Sequence, residues 1–536
     1  MATTLSRPGP ARQASKPPDP DAHVERSRGL EGLGVAACTV AAAVFLAVQL
    51  DAWPPHEDET LALFVGRQSL PDLFDTVLGH RGGAPLHFLV AWAVAHLGGG
   101  LMALRACSAA FAVASIPVCA LLARRLAGRR AALVASVIVA GSWLFLFHGT
   151  FGRMYSLFLL TSTASYLVLL RAVERSRGRD WAIWALVVYL TVAAHTYGAL
   201  VLASQALFIL SRRRLRAGAP ALGAIAVAGI PFWLSDLVLR GRYEVGVSGE
   251  KRVGGPELVL KYLWHTLGDF TSGYRWALLP AVLVGVLGLV TIARRRAEHA
   301  VLAGLVFATP TAVLLLVRFS DSTSPETRHL VFLLPFFAIC IAAGLVRLGP
   351  VPALVALALL LPAQISWGER RTPMLYHGES AARVAARDAA SAWIAARARP
   401  DDVLLGYDPL YLQAWERGAD VSKTVIPRAD PKLMDAALRD APKPLGHGFW
   451  VLDASDLGND VRRLTIEFRR PGPGREFEVA RFGPFLVIHS RRPVLTELGY
   501  LARAWDVQLV GKSLHLGDAY VNYDTVRRAI RLAAVR

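Results

Sequence analysis

Apolar stretches long enough to cross a bilayer recur along the first two thirds of this chain, and short arginine clusters separate them. A helix needs about 20 apolar residues to span a hydrocarbon core of about 30 Å, and only helices or closed barrels satisfy their backbone polar groups there. Repeated runs of this length therefore dictate a helical bundle in a membrane. The chain has 536 residues, 54% of them hydrophobic and only 19% charged, which excludes an ordinary soluble domain. A net charge of +18 would suggest nucleic acid in a soluble protein. Here the arginines lie between apolar runs, the arrangement the positive-inside rule expects of cytoplasmic loops, so no nucleic-acid partner is implied.

Residues 1–32 are rich in Pro, Ser, Arg and Asp without apolar periodicity, and read as a disordered tail held in the cytoplasm by Arg7, Arg12, Lys16, Arg26 and Arg28. Residues 33–50 then form an uncleaved signal anchor. Later cytoplasmic loops are marked by Arg124, Arg125, Arg129 and Arg130, by Arg171, Arg175, Arg177 and Arg179, by Arg212, Arg213, Arg214 and Arg216, and by Arg294, Arg295 and Arg296. For the Arg124 cluster to be inside, only one span can lie between it and the anchor. The apolar run 84–97 would make a helix of roughly 21 Å, too short to cross, and is expected as a juxtamembrane helix on the outer face.

Further spans are then expected at 103–122, 131–148, 155–171, 181–195, 198–211, 220–238, 276–293, 300–318, 329–346 and 351–367. With the anchor these make about eleven, placing the amino terminus inside and the carboxyl terminus outside. The expected fold is thus an all-α polytopic membrane domain over 33–367, with an outer first loop at 51–102, followed by an extracytoplasmic α/β domain over 368–536. In that second domain, 379–397 has helical spacing, 402–407 and 449–453 read as short buried strands, and 477–489 as a strand or hairpin. Cys38, Cys107, Cys119 and Cys340 all fall in apolar runs without CxxC spacing, so neither a disulfide framework nor a zinc site is indicated.

This topology gathers the isolated polar residues at one face. His56, Glu57, Asp58 and Glu59, His80 with Arg81, Arg105, Arg153 with Tyr155, His195 with Tyr197, and Arg328 with His329 all fall at outer helix ends. Charge at membrane depth is costly and marks substrate routes or reaction centres. Arg105 and Arg328 as snorkelling helix ends, His195 and Tyr197 and likewise Arg153 and Tyr155 as interface-belt residues, and Asp58 and Glu59 as a solvated loop are the structural alternatives.

The order of these features resembles the GT-C superfamily of integral-membrane glycosyltransferases, specifically the protein O-mannosyltransferase and aminoarabinose-transferase-like group. The residues that carry the likeness are the Asp58–Glu59 pair after the first span, GHRGGAPLHFLVAWAVAHLGG (Gly79–Gly99), ALRACSAAF (Ala103–Phe111), GRMYSLFLL (Gly152–Leu160), AAHTYGAL (Ala193–Leu200) and TRHLVFLLPFFAICIAAGL (Thr327–Leu345). Ala84 stands where the family usually has a first proline, and His329 where a tyrosine is common.

The resemblance implies transfer of a sugar, hexose or pentose, from a polyprenyl-phosphate carrier to a glycan, lipid or protein hydroxyl on the outer face of a bacterial inner membrane. It also implies Asp58 as general base, with Glu59 as its catalytic companion that positions the base or the acceptor. Guanidinium forks match phosphate oxygens, so Arg328 and then Arg153 are the candidates for the donor phosphate. His56, His80, Arg81, Arg105, Tyr155, His195, Tyr197 and His329 would line the substrate pocket. A base on the acceptor side alone suffices for inversion, whereas a glycosyl-enzyme would need a second carboxylate, for which Asp269 is a lone candidate. No cofactor is firmly implied; a bridging Mg or Mn ion suits adjacent carboxylates without being required, and no metal ligands are assigned. The competing reading is a lipid-linked sugar flippase or transporter. Transporters tend to show repeats and broken helices at the midplane, and no repeat is evident here.

Overall fold

The computed structural model describes residues 20–81, 83, 85–244, 255–317, 327–405, 408–419, 425–426, 446–453 and 477–493. Its helices follow the apolar runs. The first, Pro20–Gln49, begins inside the stretch read as a tail; Arg7, Arg12 and Lys16 lie outside the described residues.

The chain is a multi-pass membrane protein, but the expected count of eleven spans is too high. Among the described residues seven helices are long and apolar enough to cross, or nine if each of two bent pairs is one span. The difference lies at 181–195 and 198–211. Both form helices, Gly178–Ala194 and Gly198–Ser211, of 17 and 14 residues. At 1.5 Å per residue these reach only about 25 and 21 Å, short of the core. Because the two are consecutive, removing both leaves the sidedness of every later span unchanged. The run at 84–97 does form a short helix, Pro85–His96.

The helix built on Thr327–Leu348 is the pillar of the bundle, with 89% of its apolar window buried against 17% for Trp276–Arg295 and Pro350–Arg371. Small residues let it pack closely. A Cβ on Gly288 would overlap the Cys340 carbonyl, and one on Gly344 the Val284 carbonyl, so Gly is required at both for backbones to meet. Its first turn, Thr327–Leu333, is a 3-10 segment, which carries Arg328 and His329 into the end of the bundle.

Two breaks deliver the other polar residues to that end. Helices Arg129–Ala140 and Trp143–Thr150 meet at 56°, and the Trp143 N–H donates to Gln364 Oε1 at 3.0 Å to hold the second in place. Gly178–Ala194 stops at His195, whose extended backbone turns the chain into Gly198–Ser211. Within loop 51–102, a first loop helix, Glu57–Gly66, lies on the second, Pro85–His96. A Cβ at Gly66 would meet the Ala91 backbone at 2.7 Å, so the absence of a side chain allows this approach.

The C-terminal region holds a five-stranded sheet in the order β2-β1-β3-β5-β4, from β1 (Val403–Leu405), β2 (Val425–Ile426), β3 (Gly448–Asp453), β4 (Phe477–Phe482) and β5 (Phe485–Ser490). β1 pairs in parallel with β2 and β3, while β3, β5 and β4 are antiparallel. Helix Ala381–Ala395 covers it, as the spacing over 379–397 predicts; residues 406 and 407 of the expected first strand lie outside the described residues. Its core takes in Ala390, Ile394, Leu404, Phe449, Val451 and Val487, and also Phe64 from the first loop helix.

The orientation read from the arginine clusters is open to direct test. In a cysteine-free background, a membrane-impermeant maleimide added from outside is expected to label Leu97→Cys, at a position 88% exposed, and not Arg177→Cys. Labelling of Arg177→Cys from outside would reverse the topology.

Candidate active site

The first loop helix is a cap for a buried charge. His56 is its N-cap, with Nδ1 accepting from the Asp58 N–H at 3.1 Å, while the Glu59 carboxylate accepts from the His56 N–H at 3.1 Å, completing a capping box. Beyond Glu57 and Asp58 the helix is buried from Glu59 to Gly66. Glu59 and Arg105 are both 0% exposed and form a two-pronged ion pair, Nε to Oε1 at 2.8 Å and Nη2 to Oε2 at 2.6 Å. Glu59 Oε1 also accepts from the Gly152 N–H at 2.7 Å. The remaining Arg105 donors go to the carbonyls of Leu50 and Trp53, at 2.9 and 2.7 Å, and of Pro54 at 3.1 Å. All five guanidinium N–H groups are thereby used.

One residue earlier the surroundings differ. The Asp58 side chain is 25% exposed, and Arg153 lies beside it, Nε 3.6 Å from Oδ2, with Nη1 donating to the Asp58 carbonyl at 3.2 Å. Arg153 is itself fixed from behind, since the Ser108 hydroxyl donates to the Phe151 carbonyl at 2.7 Å in the turn that leads to it. Next to this pair stands a ring cluster drawn from three separate elements. The Tyr155 and His195 rings are 5.8 Å apart, His195 and His329 5.5 Å, and Tyr197 and His329 5.4 Å, while the Arg328 guanidinium lies over Tyr155 at 5.4 Å. Arg153 and Tyr155, two positions apart where one helix begins, join the two halves of the site. An acid, two arginines and a wall of imidazoles and phenols thus share one end of the bundle.

Comparison with known proteins bears on this arrangement. Residues 82–234 match the family model described as dolichyl-phosphate-mannose-protein mannosyltransferase. ArnT from Cupriavidus metallidurans in the apo state superposes with a TM-score of 0.58 at 16% identity, over 87% of this chain and 98% of that one. The fold is the GT-C fold. ArnT from the same organism bound to undecaprenyl phosphate gives a TM-score of 0.48 at 15% identity, over 85% and 97%. The Archaeoglobus fulgidus oligosaccharyltransferase AglB, in complex with an inhibitory peptide and a dolichol-phosphate, gives 0.45 at 13%, over 77% and 69%. No curated protein matches the chain in sequence.

On the GT-C scaffold the candidate residues separate. Asp58, Arg153, Tyr155, His195, Tyr197, Arg328 and His329 come together. Arg105 does not line a pocket: with no exposure and no donor left over, it anchors the first loop to the second long span. Glu59 is likewise too enclosed to touch substrate, and its part is to hold the helix that presents Asp58. His56 serves as the helix cap, its ring edge-on to Phe151 at 5.3 Å. The side chains of His80 and Arg81 lie outside the described residues. Asp269 is nine tenths buried and accepts from the Thr327 hydroxyl at 2.5 Å, next to Arg328, with Arg371 at 3.7 Å.

Two histidines absent from the sequence-based set also belong here. His87, in PLHFL, is 4% exposed; burial first and then Arg153 push its imidazole down to about 3, against the pull of Asp58, so it is neutral at physiological pH. His148, also buried, has its ring 4.8 Å from Tyr155. The signal available for both was a histidine inside an apolar run. Among the described residues no group of three or more His, Cys, Asp or Glu stands ready to hold a metal ion. Glu59, the second carboxylate a bridging Mg or Mn would need, is committed to Arg105 and Gly152.

Removing one partner of a buried ion pair strands the other. Arg105→Ala is expected to destabilise the purified protein by about 3–5 kcal/mol, read as a fall in Tm. Arg153→Ala, beside a part-exposed carboxylate, should lose much less. Equal losses would contradict the anchoring role of Arg105.

Proposed function

We propose that the chain is a membrane glycosyltransferase that moves a sugar from a polyprenyl-phosphate carrier to an acceptor hydroxyl, on the outer face of a bacterial inner membrane. The observation that carries this reading is the division of labour between adjacent acids. Glu59 is paired with Arg105, whereas Asp58 is part-exposed at the start of the same helix, with Arg153 beside it and the cluster of Tyr155, His195, Tyr197, Arg328 and His329 next to that pair. The likeness of the fold to ArnT, a protein solved with undecaprenyl phosphate, supports a lipid-phosphate donor.

In this reading Asp58 takes the proton of the acceptor hydroxyl as its oxygen attacks the anomeric carbon. A new C–O bond forms, the bond to the carrier phosphate breaks, and its electron pair leaves with the polyprenyl phosphate, inverting the anomeric centre. Arg328 receives the developing phosphate charge through its fork of donors. Arg153, closer to the Asp58 carboxylate than to any other acid seen, fixes the base in place and adds positive potential. Tyr155, His195, Tyr197 and His329 supply a wall of hydrogen-bonding rings for sugar hydroxyls, and neutral His87 does so without adding charge.

A decisive assay uses the protein in nanodiscs with a panel of undecaprenyl-phosphate hexoses and pentoses and an envelope-lipid acceptor fraction. Asp58→Asn is expected to lower transfer by a factor of roughly 10² to 10⁴ with Tm unchanged, while Arg328→Ala should weaken donor use. Full transfer by Asp58→Asn would remove the base assignment. Lipid-linked sugar crossing the bilayer without transfer would favour the flippase reading.

A further inference from the structure

The end of the first loop helix opposite Asp58 is held by the C-terminal domain. Phe64 stacks on Trp415 with ring centroids 4.4 Å apart and planes inclined at 16°, and the Arg67 guanidinium lies over the same indole at 3.7 Å. Arg67 is the C-cap of that helix, its N–H bonded to the Leu63 carbonyl at 3.1 Å. Trp415 belongs to a short domain helix, Pro409–Glu416, whose Leu412 enters the core formed by Leu61, Leu63, Val65, Phe88 and Ala91 of the two loop helices. Next to it, Glu416 feels the Arg67 charge; burial raises its carboxyl and Arg67 opposes that rise.

This short domain helix is itself tied to the sheet and its covering helix. Asp408 caps it, accepting from the Leu410 N–H at 2.9 Å, the Tyr411 hydroxyl donates to the Phe449 carbonyl on β3 at 3.0 Å, and Arg417 Nε donates to Ser391 Oγ at 3.2 Å. A continuous packed path therefore runs from the sheet through Trp415 to the helix that carries Asp58. That helix is only ten residues long. A rigid rod of about 15 Å turns any shift at its Phe64–Arg67 end into a comparable shift at its Asp58 end.

We infer that Trp415 is a positioning residue for the reaction centre: the C-terminal domain sets where the Asp58 carboxylate stands by clamping the far end of its helix. Aromatic stacking supplemented by a cation over the ring is strong for its size and directional, which suits a clamp. The inference rests on the reading of Asp58 as base.

Two measurements on the full chain in nanodiscs test it. In hydrogen exchange without substrate, Trp415→Ala is expected to lower protection of residues 57–66 roughly tenfold while leaving 334–348 unchanged, and Trp415→Phe should restore it. Unchanged exchange at 57–66 overturns the clamp. In the transfer assay, Trp415→Ala should lower kcat on the order of tenfold to a hundredfold with KM for the lipid donor little altered, again with rescue by Trp415→Phe. A loss of kcat that phenylalanine does not rescue also overturns it. Should Trp415→Ala fail to fold, Arg67→Ala removes the cation without opening the domain core, and the same pattern at smaller size is expected. A wild-type protein that transfers nothing refutes the functional reading, and the exchange experiment still decides the clamp.

Discussion

A single buried ion pair, Glu59 with Arg105, determines how the rest of this end of the protein is laid out. Two opposite charges with no exposure survive only when each hydrogen-bonding atom is met, and here the guanidinium meets a carboxylate and three backbone carbonyls while the carboxylate also meets two backbone N–H groups. Those partners come from the first span's exit, the loop helix, the second long span and the turn before Arg153. Four segments far apart in sequence are locked to one point. The part-exposed acid next door inherits that rigidity and is paired instead with Arg153, at the longer distance of 3.6 Å.

Much of the fold is legible in the sequence. Arginine clusters and run lengths placed the helices, identified 84–97 as too short to cross, and predicted that scattered polar residues would meet at one end. The shortfall in span count has a local origin: periodicity and apolarity show that 181–195 and 198–211 are helices, but the stop at His195 decides that each is too short alone. The sheet domain was visible from short apolar runs, though not its mixed pairing.

Within the site, only the family resemblance told Asp58 from Glu59; the residues themselves did not. Adjacent carboxylates look alike until one is seen to point at Arg105, 46 positions away, and the other at Arg153. The same information removes Arg105 from the pocket, since a residue's type says it has five donors and only its surroundings say whether any is spare. His87 and His148 escaped notice because motif reading favours histidines at run ends, and these lie within runs. Trp415 could not have been found at all from the chain order, being more than 300 residues from the helix it touches.

The two short helices that meet at His195 bear on the bilayer as well as on the protein. Helices of about 25 and 21 Å cannot both match a hydrocarbon core of about 30 Å, and lipid answers such mismatch by thinning beside the short element. Thinning of that kind beside this pair would bring the headgroup plane closer to His195 and Tyr197. Under the proposed function, a carrier lipid arriving there would bring its phosphate toward Arg328 while its polyprenyl tail stays in the membrane, and local thinning would shorten the distance the substrate must rise to react.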